Sequence, residues 1–145
     1  MPRIRMLKKT LRHLLDNFAG TKKLDGGILL EYNAVTLANL SKYDSENGSL
    51  AEALIKEYFV SAPALLAEIS AARKLGDWEA IADHAHSLRA NSLTLGLEGV
   101  GAMCTVLESS GMSTTDQAFD KLTSAVLRGI EWLKTSGKKA RNQVA

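Results

Sequence analysis

The sequence has few of the features that would indicate a secreted or membrane-spanning protein. Cys104 is the single cysteine among 145 residues, so no disulfide can form within the chain. No apolar run approaches the roughly 20 residues that a bilayer-spanning helix needs. The sequence also lacks the pattern of a secretory leader, which is a charged start followed by an apolar run and a small-residue cleavage site. We therefore expect a reduced, cytoplasmic protein.

Proline and strand-type alternation are also scarce. The two prolines are Pro2 and Pro63, and the apolar residues recur with helical spacing throughout. The length, with 46% hydrophobic residues, suits one compact core. Because short connections join long helices, the predicted class is all-α, an antiparallel up-and-down four-helix bundle with an additional N-terminal helical segment.

Motifs for nucleotide and metal chemistry are lacking as well. The sequence contains no glycine-rich phosphate loop and no cluster of carboxylates at metal-binding spacing. We therefore expect no ATP-dependent kinase activity of the chain's own, and no cofactor or metal bound by it.

The charges are segregated along the chain. Residues 1–24 carry seven basic side chains and one acidic, whereas residues 25–130 carry seven basic and fourteen acidic. Residues 131–145 are again basic, with four positive side chains and one negative. An acidic body argues against nucleic acid as a partner, while the basic ends remain open to an anionic surface.

The N-terminal segment has the pattern of a basic amphipathic helix that ends before Gly20. Its apolar stripe consists of Leu7, Leu11, Leu14, Leu15 and Phe18, and its opposite face carries Arg5, Lys8, Lys9 and Arg12. Two interpretations stay open. Either the stripe packs on the bundle and the charges are solvated, or the helix contacts an anionic membrane or partner surface.

Glycines and capping residues divide the remainder into helices. A short helix is predicted over Glu31–Lys42, after a break at Gly26 and Gly27. A long helix should start at Ser49 and run to Gly76. Pro63 lies inside it and should kink it near Tyr58 and Phe59, unless the segment splits into two helices.

Three further helices complete the predicted bundle. Asp77 caps a helix from Trp78 to about Leu95, which Gly96 ends. The next covers residues 97–109 and is closed by Gly111, and the last covers residues 115–135. Residues 136–145 are polar and read as a disordered tail. The predicted domains are therefore 1–48 (the N-terminal helices), 49–135 (the bundle) and 136–145 (the tail).

Two histidines stand one residue apart in the helix that follows Asp77. Its buried stripe is predicted to contain Ile81, Ala85, Leu88, Ser92 and Leu95. At 100° per residue His84 then lies at the edge of the core, whereas His86 faces solvent. The two rings diverge by about 200°, so they cannot hold one metal ion. Cys104 shares a predicted buried stripe with Leu97, Val100 and Leu107, so we expect its thiol to be inert.

The exposed neighbours of His86 are unusually small or apolar. They are Ala82, Ala90 and Leu93, with the guanidinium of Arg89 one turn away. A solvated helix face would normally carry long charged side chains, so this surface fits docking around a reactive imidazole. The alternative that the residues leave open is an idle surface histidine.

The residues "AHSLRANSLTLGLEGVGAMCTVLE" resemble the histidine phosphotransfer (HPt) domain family, which relays phosphoryl groups between receiver domains in two-component signalling. The upstream run "LIKEYFVSAPALLAEISAARKLGDWEAIADHAHSLRANS" is similar to the family's second helix, turn and phosphorylated helix. The shared pattern is histidine, hydrophobic at +2, basic at +3, small at +4 and +5, and glycine at +10. The resemblance covers about Leu50–Leu133.

The resemblance implies a role for each matching residue. His86 corresponds to the phospho-accepting histidine, and Arg89 replaces the usual lysine that stabilises phosphate. Ala90 stands where the family commonly has glycine, and Asn91 replaces a small hydroxyl residue. Together with Ala82 and Leu93, Ala90 would form the partner-binding surface.

The resemblance also implies the partners. These are receiver domains of response regulators or a hybrid sensor kinase, and the receiver supplies Mg²⁺ and most of the catalysis. The chain would be a monomeric phosphocarrier rather than an enzyme. The alternative is a non-catalytic helical adaptor, a degenerate member of the family that docks a signalling partner.

Overall fold

The computed structural model describes residues 22–25, 28–42, 49–110 and 115–135 of the chain. These residues form a hairpin and five helices: β1 (Lys22–Asp25), β2 (Ile28–Glu31), α1 (Ala34–Lys42), α2 (Ser49–Leu75), α3 (Trp78–Thr94), α4 (Glu98–Ser110) and α5 (Asp116–Lys134). The predicted helices of the bundle are confirmed, and the class is all-α. No helix among the described residues is long and apolar enough to cross a membrane.

Helices α2 to α5 pack as an antiparallel bundle. Between α2 and α3, the contacts pair an early residue of one helix with a late residue of the other, as in the Tyr58–Ser92 hydrogen bond of 2.8 Å. The same reversal joins α2 to α5, where Arg73 near the end of α2 forms an ion pair with Asp116 at the start of α5. Consecutive helices therefore run up and down, as short connections predict.

The core is formed by one apolar stripe from each helix. In α3 the buried residues are Ile81, Ala85, Leu88 and Ser92, as the helical periodicity predicts. Ser92 is the one fully buried polar residue in the described core, and Tyr58 provides its hydrogen-bond partner. Such a pair satisfies two polar groups that would be costly to bury alone.

Pro63 lies within α2, which is one continuous helix from Ser49 to Leu75. The alternative of two separate helices is therefore wrong, while the predicted kink near Tyr58 stays a prediction. Pro63 is exposed. Since it removes one backbone hydrogen bond, an exposed site lets water reach the carbonyl that loses its partner.

Local capping signals set the ends of α3. Asp77 accepts a hydrogen bond from the backbone N–H of Ala80 at 3.1 Å, which confirms its role as the N-cap. Gly96 follows the helix with a φ of 82°. A side chain there would also place its Cβ 2.4 Å from the backbone oxygen of Asn33, so glycine is required both by conformation and by space.

The segment before the bundle differs from the prediction. Strands β1 and β2 pair antiparallel, with Asp25 opposite Ile28, and α1 begins at Ala34 rather than Glu31. Asn33 is the N-cap of α1, since its side chain accepts a hydrogen bond from Thr36 N–H at 3.1 Å. Four-residue strands are too short to show alternation, but Gly26-Gly27 is a sequence signal for a two-residue hairpin.

The contacts of this segment with the bundle include a stacked aromatic pair and a buried leucine. The ring of Tyr32 stacks on that of Trp132 in α5, with the centroids 4.8 Å apart. Leu37 of α1 is fully buried. The predicted basic helix before Gly20 and the predicted tail after residue 135 lie outside the described residues.

Candidate functional site

His86 projects from the solvent-facing side of α3. The buried stripe of the helix fixes its rotation, with Ala85 and Leu88 at 0% exposure. The side chain of His86 is consequently 64% exposed. The predicted outward direction of this histidine is confirmed.

Glu108 is the contact of His86 that the sequence analysis did not identify. Because α4 runs antiparallel beside α3, a residue near the end of α4 comes level with the middle of α3. The Oε1 atom of Glu108 lies 2.6 Å from Nδ1 of His86, and the carboxylate side chain is 19% exposed. Glu108 follows the buried Cys104 by four residues, so it extends the same face of α4, and this spacing was the available signal.

Arg89 completes the cluster. Its Nε lies 3.2 Å from Oε2 of Glu108, so each carboxylate oxygen has its own partner. Its Nη2 lies 3.0 Å from Nδ1 of His86. The guanidinium, carboxylate and imidazole form one group, in which Glu108 joins the other two side chains.

The 2.6 Å contact selects the tautomer of His86. An ionised carboxylate only accepts hydrogen bonds, so Nδ1 must be the protonated nitrogen that donates to Glu108. Arg89 is also a donor and cannot bond to a protonated Nδ1. The Nδ1–H group of His86 and the guanidinium of Arg89 therefore lie side by side, and each donates to the Glu108 carboxylate. In the neutral ring the lone pair is left on Nε2, which has no hydrogen-bond partner in the part of the chain that the structure describes.

The surface around His86 carries the predicted small and apolar residues. Ala82 is half-buried, Ala90 is exposed and Leu93 is 43% exposed. Leu93 lies against Gly101 of α4, where a Cβ would come within 2.5 Å of the leucine Cδ2. Gly101 therefore leaves room for the Leu93 side chain between α3 and α4.

The other histidine of α3 has a structural partner. Nδ1 of His84 lies 2.9 Å from Oε2 of Glu68 in α2, and the ring is 31% exposed. His84 and His86 therefore contact different helices, which agrees with the predicted divergence of the two rings. Among the described residues no group of three potential metal ligands occurs. His13 lies outside the described residues.

Cys104 is unsuited to nucleophilic chemistry. It is fully buried. Burial, with a smaller contribution from the negative charge of Glu108, raises the pKa of its thiol to about 12. Because the thiolate is the reactive form, the predicted inert character of this residue fits its environment.

Comparison with known proteins yields one family. The model of the Hpt domain matches residues 53–132, which include α3, α4 and all three members of the His86 cluster. No curated protein and no solved structure matched the chain. The matched segment is more than half of the sequence.

Proposed function

Because the chain belongs to the Hpt domain family, we propose that it carries a phosphoryl group on Nε2 of His86 in a multistep two-component phosphorelay. Hpt domains are phosphocarriers of such relays. The observation that carries the proposal for this residue is the hydrogen bond between Nδ1 and Glu108, which leaves the exposed Nε2 as the nucleophilic nitrogen.

The proposed step is an in-line transfer from an aspartyl phosphate of a receiver domain. The Nε2 lone pair attacks phosphorus, the N–P bond forms, and the P–O bond to the aspartate breaks, which returns the electron pair to its carboxylate. The imidazole ring becomes positively charged as the bond forms. Glu108 faces the proton on Nδ1 and therefore stabilises that charge.

The partner is proposed to provide the rest of the chemistry. Transfer of a phosphoryl group depends mainly on positioning and on neutralising charge, for which Mg²⁺ is the usual ion. We expect the receiver to hold the Mg²⁺ and the acidic residues that bind it. The chain then acts as a monomeric phosphocarrier with one nucleophile, not as a kinase.

Docking of the receiver is assigned to the surface of Ala82, Ala90 and Leu93. The side chains beside His86 must be small because phosphorus has to come within about 3 to 3.5 Å of Nε2 before reaction. Ala90 and Leu93 are both exposed, so an approaching domain can contact them directly. These contacts would orient the aspartyl phosphate over the ring.

Arg89 is predicted from the sequence to stabilise the phosphoryl group. In the unphosphorylated protein its guanidinium lies by Nδ1 and Glu108, on the other side of the imidazole from the attacking nitrogen. This role stays a prediction.

The test is transfer of radiolabelled phosphoryl from phosphorylated receiver domains. Wild-type protein should take up label that is stable to alkali and labile to acid, as expected for phosphohistidine. His86→Gln should take up none, whereas the matched control His84→Gln should behave as wild type. A folded wild-type protein that accepts no label from any receiver would favour the non-catalytic adaptor instead.

A further inference from the structure

The Glu108 carboxylate is shared between the nucleophilic histidine and a guanidinium. Its Oε1 accepts from His86 at 2.6 Å, while its Oε2 pairs with Arg89 at 3.2 Å. The arginine is thus attached to the group that holds the histidine. This arrangement suggests a task for Arg89 before any phosphoryl group arrives.

We infer that Arg89 is a positioning residue for His86: its guanidinium, which pairs with Glu108 and lies 3.0 Å from Nδ1, offsets the carboxylate charge, so that His86 remains a neutral nucleophile. The inference rests on the proposed function. A carboxylate beside an imidazole favours the imidazolium form, in which both ring nitrogens are protonated. That form has no lone pair on Nε2 and cannot attack phosphorus.

A balanced carboxylate can still orient the ring. The hydrogen bond from Nδ1–H to Oε1 needs only an acceptor, whereas protonation of the second nitrogen responds to the net charge nearby. Arg89 supplies a positive charge that is permanent at any working pH. The cluster therefore fixes the tautomer of His86. Because the charges of Glu108 and Arg89 nearly cancel, little net negative charge remains to favour the imidazolium form.

Other ionisable groups near the cluster do not perform this balancing. One turn before His86 on α3 lies Asp83, which is exposed and negative. One turn before Glu108 on α4 lies Cys104, which is buried and neutral as a thiol. The hydrogen bonds and ion pairs described above join His86 and Glu108 to each other and to Arg89. Within these groups, Arg89 is the cation that opposes Glu108.

The test measures the rate of phosphorylation of the full chain across a range of pH. Phosphoramidate serves as the donor: its P–N bond breaks, ammonia leaves, and the phosphoryl group passes to His86. A small donor needs no docking surface, so changes report the chemistry of the cluster. The variants are Arg89→Gln, Arg89→Lys, Glu108→Gln and the double variant Arg89→Gln/Glu108→Gln, and circular dichroism checks the fold of each.

Arg89→Gln should raise the pH at which the rate reaches half its plateau by about one pH unit, since it leaves Glu108 unbalanced beside the imidazole. At a pH well above that value the rate deficit of Arg89→Gln relative to wild type should be smaller than it is at low pH. Arg89→Lys keeps the charge and should keep the wild-type profile. The double variant Arg89→Gln/Glu108→Gln should have its half-plateau at a lower pH than Arg89→Gln, because the carboxylate that favours the imidazolium is gone.

A pH profile that is unchanged in Arg89→Gln, or a double variant whose half-plateau lies at as high a pH as that of Arg89→Gln, would overturn the inference. A rate loss that is independent of pH would instead assign Arg89 to the phosphoryl group itself. Failure of the proposed function would give different results from these. If the proposed function is wrong, wild-type protein takes up no label, or His86→Gln is labelled like wild type.

Discussion

Replacing Glu108 by alanine tests how His86 is held. The substitution removes the acceptor 2.6 Å from Nδ1, so the ring loses the contact that fixes its tautomer. A hydrogen bond to a charged group contributes roughly 1.5 to 3 kcal/mol. Since His86 is 64% exposed, water weakens the contact and the lower end of this range applies. A loss of about 1.4 kcal/mol corresponds to a tenfold change in rate, so transfer should slow about tenfold.

The assay is the single-turnover rate of transfer from a phosphorylated receiver, with the thermal melting of each variant measured alongside. Glu108→Gln retains a neutral acceptor for Nδ1–H and should lose less than Glu108→Ala. Glu79→Gln removes a comparable charge from an exposed position in the first turn of α3 and is the matched control. The reasoning is refuted if folded Glu108→Ala transfers as fast as the control.

Three further predictions concern other parts of the molecule. Ala90→Gly should preserve or speed transfer and Ala90→Leu should block it with little loss of stability, because a receiver must approach His86 closely there; undiminished transfer by folded Ala90→Leu would withdraw the docking surface. Gly96→Ala should destabilise the fold by about 2 to 4 kcal/mol in urea unfolding, since it combines a φ of 82° with a Cβ 2.4 Å from the Asn33 oxygen. Cys104 has a pKa raised to about 12, so it is almost entirely thiol near neutral pH; a thiol reagent should modify it only on unfolding, and rapid modification of the native protein would contradict its burial.

Local sequence signals predicted much of the bundle. The start of α3 at Asp77 and its end before Gly96 follow from residues that act within one turn, so they can be read without a structure. The direction of His86 follows from the stripe that includes Ala85 and Leu88, because a helix with one apolar stripe has only one way to face the core. The class and the antiparallel packing then follow from helix lengths and short connections.

The cluster around His86 depends on information that a periodic pattern lacks. Glu108 is 22 residues away in sequence, and its meeting with His86 requires the register between α3 and α4. That register is set by side-chain packing, such as Leu93 against Gly101, which no spacing rule specifies. The attachment of Arg89 to Glu108 follows from the same register. The pairing of β1 with β2 was missed because four-residue strands carry too little alternation.

The most direct test of the central claim is to identify the nitrogen that is phosphorylated. After reaction with phosphoramidate, a phosphorus–proton correlation spectrum of the protein in alkaline solution reports which ring protons couple to phosphorus. Nε2 is bonded to two carbons that each carry a proton, whereas Nδ1 is bonded to only one such carbon. We predict coupling to both ring protons of His86, because Glu108 holds Nδ1. Coupling to a single ring proton, or a signal that persists in His86→Gln, would contradict the account.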